Sequence, residues 1–553
     1  MINLCSLLGI KIGTIKNVIF EESFNTYTPT SLKDFFRGCT GLDKITGLEY
    51  LNTAEVTDMS FMFYGCYALA SLDLSNFNTT KVENMFGMFF NCENLSSLVI
   101  SNFNTANVTD MSYMFHYCKN LSSLDIPNFN IAKVTDMSYM FHMCQKLTEL
   151  NLSNFKTEKA KNMSNMFSFC NMLEKLNLSN FNTAEVTNMS SMFEDCNKLS
   201  SLDLSNFNTT KVKDMSSMFK NCQVLSSLDL SNFNTTKVEN MSGMFSGCSM
   251  LQTIYVSDDF VVTGITDENY KKDLFTGCEA LPEYGDAKTS SDYANYKTGY
   301  FTKLVVRNGD ERYGIKGETT QLTVDNLVLA DNKDLVVYEP FTATAASYSR
   351  TINTTWATLC LPFKVSLDGK NFRAFELGSV SNNEVVLKEL NTIIPAGTPV
   401  IIKMNDGETE LKFSEANMPI AKEVQTSKTA NGNYQLQGLY TQKVFDKAAD
   451  NNCYIVKGNK LMNPAKLMQN TNNETVGSKP FRAYMVDNTS SSAGAKMFSI
   501  GFDNDGTTAI DNLNTIADDN AIYYDLQGHR LNAPQKGINI VKRGNKTMKV
   551  IIK

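Results

Sequence analysis

The sequence predicts an α/β solenoid of stacked 26-residue rungs, short strands alternating with short helical turns, followed by an all-β sandwich-like domain and a small C-terminal β domain. Three observations predict it: a column of cysteines at fixed spacing, an apolar pattern that changes period inside each rung, and a change of texture past residue 300. At 553 residues the chain is too long for one core and divides into several structural units.

The cysteines come first because self-similarity decides the architecture. Cys66, Cys92, Cys118, Cys144, Cys170, Cys196, Cys222 and Cys248 recur every 26 residues, with Cys39 placed 27 before the series and Cys278 placed 30 after it. In the rung that starts at Cys66 the apolar positions are Leu69, Leu72, Leu74, Phe77, Val82, Met85, Met88 and Phe89. The Leu-x-x-Leu-x-Leu portion ends with the period of two of a half-buried strand. The Met-x-x-Met-Phe-x-x-Cys portion has the i, i+3, i+4, i+7 spacing of a short helix. Each rung therefore reads as strand, corner, short second strand around Val82, and helical turn. A lone rung buries too little apolar surface to offset the entropy of ordering it, so rungs must stack, and an unvarying period keeps them in register.

These features assign residues 1–300 to the solenoid with irregular end rungs. Residues 301–505 follow as the sandwich-like domain, with β-rich runs such as 304–306, 321–324, 384–387 and 399–403 between turn signals. Residues 506–520 form a linker, and 521–553 read as three or four short strands with turns at Gly528 and Gly537.

Composition excludes several functions. The net charge is −7 and the repeat half is rich in Asn, Ser, Thr and Asp, so no basic face is present for nucleic acid. No apolar stretch reaches the roughly 18 residues of a spanning helix, so membrane insertion is not expected. With three histidines and no nucleophile elbow or phosphate loop, no catalytic residues, cofactor or metal are assigned, and the chain is not read as an enzyme. His116 and His142 share one column but lack a third ligand and read as surface decoration. The run 502–506 lacks the alternating acids of a calcium loop and reads as a turn. The cysteine column sits in apolar lining, which favours buried thiols over disulfides or zinc.

Repeated polar columns need a role. Asn76, Asn102, Asn128, Asn154, Asn180, Asn206 and Asn232 stand beside a phenylalanine in every rung, which suggests a ladder that satisfies corner backbone groups. The candidate binding residues are the outward strand positions, Asp73, Asp125, Asn151, Asn177, Asp203 and Asp229, with Val99 in the same column. Beside them run Ser71, Ser97, Ser123, Glu149, Lys175, Ser201 and Ser227. Side by side they form a flat acidic and amide-rich strip suited to many weak polar contacts.

The runs at 202–222 and 228–248, LDLSNFNTTKVKDMSSMFKNC and LDLSNFNTTKVENMSGMFSGC, resemble the repeat of BspA-like leucine-rich-repeat surface proteins of Bacteroidetes, also found in mycoplasma lipoproteins. The resemblance implies a cell-surface or secreted adhesin whose partners are host extracellular matrix proteins, such as fibronectin and fibrinogen, or cell-surface proteins. Self-association as a structural surface protein and glycan binding by the β half are the alternatives. The C-terminal strands resemble a type IX secretion sorting domain through Asp525, Leu526, Gly528 and Arg530, with Gly537 and the terminal Lys553 completing the pattern. That route requires an export signal. The start, MINLCSLLGIKIGTIKN, lacks a basic n-region and a cleavage site, so it is expected to lie inside a longer gene.

Overall fold

The computed structural model describes residues 13–319, 321–381, 383–446, 449–468, 475–489, 497–502, 522–525, 529–531, 537–543 and 546–552. The run 503–506, the linker 506–520, Leu526, Gly528, Lys553 and residues 1–12 lie outside them. The chain forms two compact units, residues 1–304 with 314–320, and residues 305–313 with 321–553.

In the first unit the Leu-x-x-Leu-x-Leu segments become short parallel strands in register with the neighbouring rung. Ser71–Asp73 pairs with Ser97–Val99, Glu149–Asn151 with Lys175–Asn177, and Ser227–Leu230 with Thr253–Val256. Every pairing joins residues 26 apart, such as Leu72 with Leu98 and Leu150 with Leu176. Residues 123–125 and 201–203 are not strands, so the sheet is interrupted at the Cys118 and Cys196 rungs. At the far end Ile254, Tyr255 and Val256 pair with Phe301, Thr302 and Lys303, which prolongs the ladder beyond the last regular rung.

The helical turn is not there. Between residues 13 and 304 the described elements are strands, turns and short 3-10 helices, so the α/β reading of the repeat is corrected to a strand-and-turn coil. The second strand expected around Val82 is absent as well. In its place a single column of parallel bridges runs from Ser31 through Asp58, Asn84, Asp110, Asp136, Asn162, Asn188 and Asp214 to Asn240. The reason is spacing. Helices pack with axes about 8 to 10 Å apart, whereas rungs joined by backbone hydrogen bonds sit about 4.8 Å apart. One helix per rung does not fit that stack.

The Met-x-x-Met-Phe segment instead splits its hydrogen bonds between two directions. Met59, Phe61, Phe63 and Gly65 donate their N–H groups along the stack to Asn84, Phe86, Met88 and Phe90. The residues between them turn back on their own rung, with Met62 bonded to Met59, Tyr64 to Phe61 and Cys66 to Phe63. This alternation places two residues per rung in the left-handed region, for example Tyr113 (φ 60°) and Tyr117 (φ 66°), or Asn165 (φ 56°) and Phe169 (φ 58°). Gly87 occupies one such position without strain, and the Phe61 ring packs into the space that a Cβ there would take, 2.8 Å away.

The core is a set of columns. Phe63, Phe89, Phe115, Phe141, Phe167, Phe193, Phe219, Phe245 and Phe275 stack with ring centroids 5.5 to 5.9 Å apart and planes within 8°. The methionine columns beside them are fully buried. All ten column cysteines are buried thiols. From Cys66 onward each Sγ donates to a phenylalanine carbonyl of the preceding rung, as Cys92 does to Phe63 at 3.1 Å and Cys170 to Phe141 at 3.1 Å. Phe63 O also accepts the Cys66 N–H, so the thiol fills the second lone pair of a buried carbonyl.

The second unit is built of strands, with one short α-helix among the described residues, Pro464–Met468. Ten strands form one sheet, in the order 356–359, 400–404, 372–381, 384–390, 497–502, 460–462, 453–457, 483–487, 434–438 and 426–428. The strand at 356–359 lies against those at 453–457 and 483–487, so the sheet curls over itself. Trp356, Phe375, Leu387, Ile401, Tyr454, Met485 and Phe498 fill the space enclosed. A separate sheet joins Thr323–Leu329, Phe341–Thr351 and Glu410–Ile420. Near the C-terminus Ile522–Tyr524, Arg530–Leu531, Gly537–Arg543 and Lys546–Ile552 form a four-stranded sheet.

Candidate functional site

Strand geometry turns alternate residues outward, which sets the candidate strip on one face of the repeat unit. Asp73, Asp125, Asn151, Asn177 and Asp203 are exposed, and Asp229 is half-buried. In the pairing register Asp73 faces Val99 and Asn151 faces Asn177. Asp229 pairs with Tyr255. Tyr255 is a member that the sequence list stopped short of, although an offset of 26 from Asp229 points to it.

Most of these side chains are already engaged. Asp73 Oδ1 accepts the Ser75 N–H at 2.9 Å, Asn151 accepts that of Ser153 at 3.1 Å, Asn177 that of Ser179 at 3.1 Å, and Asp203 that of Ser205 at 3.0 Å. Asp229 accepts both the N–H and the hydroxyl of Ser231. These are Asx turns, which end the strand and start the corner. Bonds from the Ser75 hydroxyl and N–H hold the Asp73 carboxyl below the usual carboxylate range. The strip is therefore partly a structural column.

Asp125 differs. Two residues later stands Pro127, which has no N–H to give. Asp125 has no hydrogen-bond partner among the described residues, and its rung is one of the two where the strand is interrupted. A shallow depression of about 470 Å³ opens there, lined by Ser123, Leu124, Asp125, Glu149, Leu150, Asn151, Lys175, Leu176 and Asn177. Lys175 and Glu149, both in its lining and both largely exposed, face each other across 3.9 Å, which is a weak pair. Leu124 and Leu176 are only partly covered and add apolar floor.

The asparagine ladder behaves as structural. Asn154 Nδ2 donates to the carbonyls of Ile126, Pro127 and Phe129 at 3.0 to 3.2 Å, and Asn206 reaches Leu178 and Phe181 at 2.9 and 2.7 Å. Each amide closes the corner of the rung before it. A threonine ladder, which sequence reasoning did not isolate, works beside it. Thr79 Oγ1 donates to Asn104 O at 2.9 Å and accepts Asn104 N–H at 2.8 Å.

The histidines are not surface decoration. His142 is buried and His116 half-buried, with their rings stacked at 4.7 Å in a column that begins with Tyr64 and Phe90. His142 Nδ1 is hydrogen-bonded to Ser168 Oγ. Burial lowers the pKa of His116 to about 3, with the charge of His142 adding to the effect. Burial lowers that of His142 to about 4 against an opposing pull from Glu194. Among the described residues no group of three or more His, Cys, Asp or Glu is placed to hold a metal. Among the described residues no helix is long and apolar enough to cross a membrane.

Of the sorting-like residues, Asp525 closes the turn before Arg530: its carboxylate accepts the His529 N–H at 2.8 Å and meets His529 Nδ1 at 3.0 Å. Gly537 begins the third strand of the terminal sheet.

Rungs of parallel strand, fixed period and an outward polar face define the first unit as a leucine-rich-repeat-like solenoid. One comparison with known proteins bears on the repeat. The family model described as "Mycoplasma protein of unknown function, DUF285" matches residues 13–99, 69–177, 91–199 and 145–258. That match supports a BspA-like leucine-rich-repeat protein. Solved structures similar to parts of the chain include a leucine-rich repeat protein from Bacteroides ovatus, 17% identical, covering 49% of this chain and 67% of that one with a TM-score of 0.29. The functional domain of InlJ from Listeria monocytogenes, described as including a cysteine ladder, is 12% identical, covering 73% and 88% with a TM-score of 0.18. A TLR13–ssRNA13 complex is 15% identical, covering 50% and 47% with a TM-score of 0.17. At such TM-scores the architecture stands on this chain's own geometry. No curated protein matches the chain.

Proposed function

We propose that this is a cell-surface or secreted interaction protein that binds a partner protein on the strand face of its repeats. Host extracellular matrix or cell-surface proteins are the partner class. What carries the reading is Asp125, an exposed carboxylate released from its turn by Pro127 and set in the central depression beside Glu149, Lys175 and two half-covered leucines. A polar rim around partly exposed apolar floor is the composition of a protein-binding patch. Export by the type IX route, with Asp525 and Arg530 in the sorting segment, fits a surface location.

The test is solid-phase binding of the full chain to immobilised fibronectin and fibrinogen. Saturable binding is expected, and Asp125→Ala weakens it by about tenfold, in line with a charge-assisted hydrogen bond. Asp125→Ala leaves the urea midpoint unchanged, because no internal bond is lost. Asp203→Ala lowers the midpoint, with a cost of about 1 kcal/mol for its turn bond, and leaves binding nearly intact. Absence of saturable binding to either protein, or an Asp125→Ala protein that binds as the parent does, sinks the reading. Concentration-dependent assembly without any partner, where Asp125→Ala abolishes it, transfers the strip to self-association.

A further inference from the structure

The turn side of the rungs carries a difference between rungs that the core does not explain. Its two left-handed positions are filled by Phe61, Tyr113 and Tyr139 in one column and by Tyr117, Met143 and Phe169 in the other, with φ between 55° and 66°. Later rungs place Ser191, Ser217 and Gly243, then Asp195, Asn221 and Gly247, at the same positions. A bulky side chain is disfavoured in that backbone region, whereas Gly, Asn and Asp tolerate it. The same coil therefore forms without the aromatic groups, and strain of this kind gathers at functional surfaces.

The rings cover one another only in part. Tyr113 and Tyr139 stack at 4.6 Å with planes 11° apart, and Phe90 and Tyr113 at 5.8 Å. Phe61, Phe90, Tyr113, Tyr117 and Tyr139 all stay half-buried, and Tyr67 and Met172 at the margin are 38% and 43% exposed. A tyrosine-rich, charge-poor surface is the composition of a protein interface core. From Arg37 to Glu194 this side runs six rung steps, about 29 Å, which is the breadth of an interface burying about 800 Å² on each partner.

The pattern is two-fold about the rung that closes at Cys118. Tyr67 stands two rungs before it and Met172 two rungs after. Three rungs before, Lys33 and Arg37 outnumber Asp34. Three rungs after, Glu194 and Asp195 stand together, and Lys220 of the next rung offsets only one of them, meeting Glu194 at 2.9 Å. A second copy turned end for end about Tyr117 therefore brings Tyr67 to Met172 and the cationic end to the anionic end, each contact made twice. Self-complementarity under half a turn is what an isologous interface requires.

We propose that the turn side is a homodimer face, on which two copies of this chain pair antiparallel about the Tyr113–Tyr117 rung. A second copy is the occupant because opposite net charges lie at equal distances from one aromatic centre. The strand-face strip is on another side of the rung and stays open in both copies, so the dimer presents it twice and gains from bivalent contact. Neither proposal depends on the other.

Sedimentation velocity of the full chain over a dilution series tests the pairing. A dimer at micromolar concentration that dissociates on dilution is expected. The Tyr117→Asn/Tyr139→Asn protein takes a residue that Asn91 and Asn165 already supply in those columns. It keeps the melting temperature of the dilute parent and loses dimer affinity by about tenfold or more. Tyr67→Ser and Met172→Ser, both at exposed positions, each weaken the dimer, and their combination loses less than the sum, as residues in contact do. Asp125→Ala dimerises as the parent does. The proposal is overturned if the parent is monomeric throughout, if the Tyr117→Asn/Tyr139→Asn protein pairs as tightly as the parent, if the Tyr67 and Met172 effects are absent or simply add, or if Asp125→Ala dissolves the dimer.

Discussion

Thr183 is buried, and its hydroxyl accepts the Asn208 N–H at 2.7 Å while donating to Asn208 O at 2.9 Å. Thr183→Val keeps the shape and strands both backbone groups, so urea denaturation should show a loss of about 1 to 3 kcal/mol. Histidine gives a pH dependence. The folded-state values of about 3 for His116 and about 4 for His142 lie below the ordinary 6.5. The unfolded chain therefore binds more protons between these limits. The stability that these rings contribute is fully present above about pH 6.5 and is lost as pH falls through about 4 for His142 and about 3 for His116. A His116→Phe/His142→Phe protein continues the Tyr64–Phe90 stack, and its urea midpoint should fall less between pH 7 and pH 5 than the parent's. At this scale the sequence located the strip but not its internal use. The Asx turns were legible in the recurring Asp-x-Ser and Asn-x-Ser spacing, as at Asp73 and Ser75 or Asn177 and Ser179. The histidine burial was not, because it depends on aromatic neighbours in other rungs.

Among elements, the Met-x-x-Met-Phe segment shows where periodicity misleads. The spacing of Met85, Met88, Phe89 and Cys92 marks one helix face, yet the same spacing arises when consecutive three-residue turns aim alternate side chains inward. Lateral hydrogen bonding between rungs chooses the turns. The leucine strands, by contrast, were read from period two alone, since a strand fits the rung spacing without adjustment. The cysteine column is an element of its own kind. Burial pushes the Cys92, Cys170 and Cys222 thiols up to about 12, and the carbonyl partners tie them down. An aromatic disulfide reagent should find the column unreactive in the native protein at pH 8 and fully reactive in denaturant without reductant. Few thiols appearing in denaturant would mean disulfides and would contradict the ladder.

Across the whole molecule, one period is the unit that insertion and deletion must respect. Glu–Lys pairs between neighbouring rungs, such as Glu55 with Lys81 and Glu185 with Lys211, also sit 26 apart and reinforce the register weakly. Removal of residues 197–222 takes out one rung and joins Cys196 to Gln223 with every column intact. That protein should fold and unfold cooperatively, at a somewhat lower melting temperature. Removal of residues 197–209 alone shifts the leucine and methionine columns out of line and should abolish the transition, as circular dichroism can follow. The sequence by itself determined the period, the identity of the buried columns and the face that carries the strip, because a fixed spacing repeats each local choice in every rung. Only the tertiary structure decided that the third side of the rung is turn and not helix, and that His116 and His142 are drawn into a stack of aromatic rings from neighbouring rungs. These depend on distances between rungs and between segments remote in sequence, which no local pattern records.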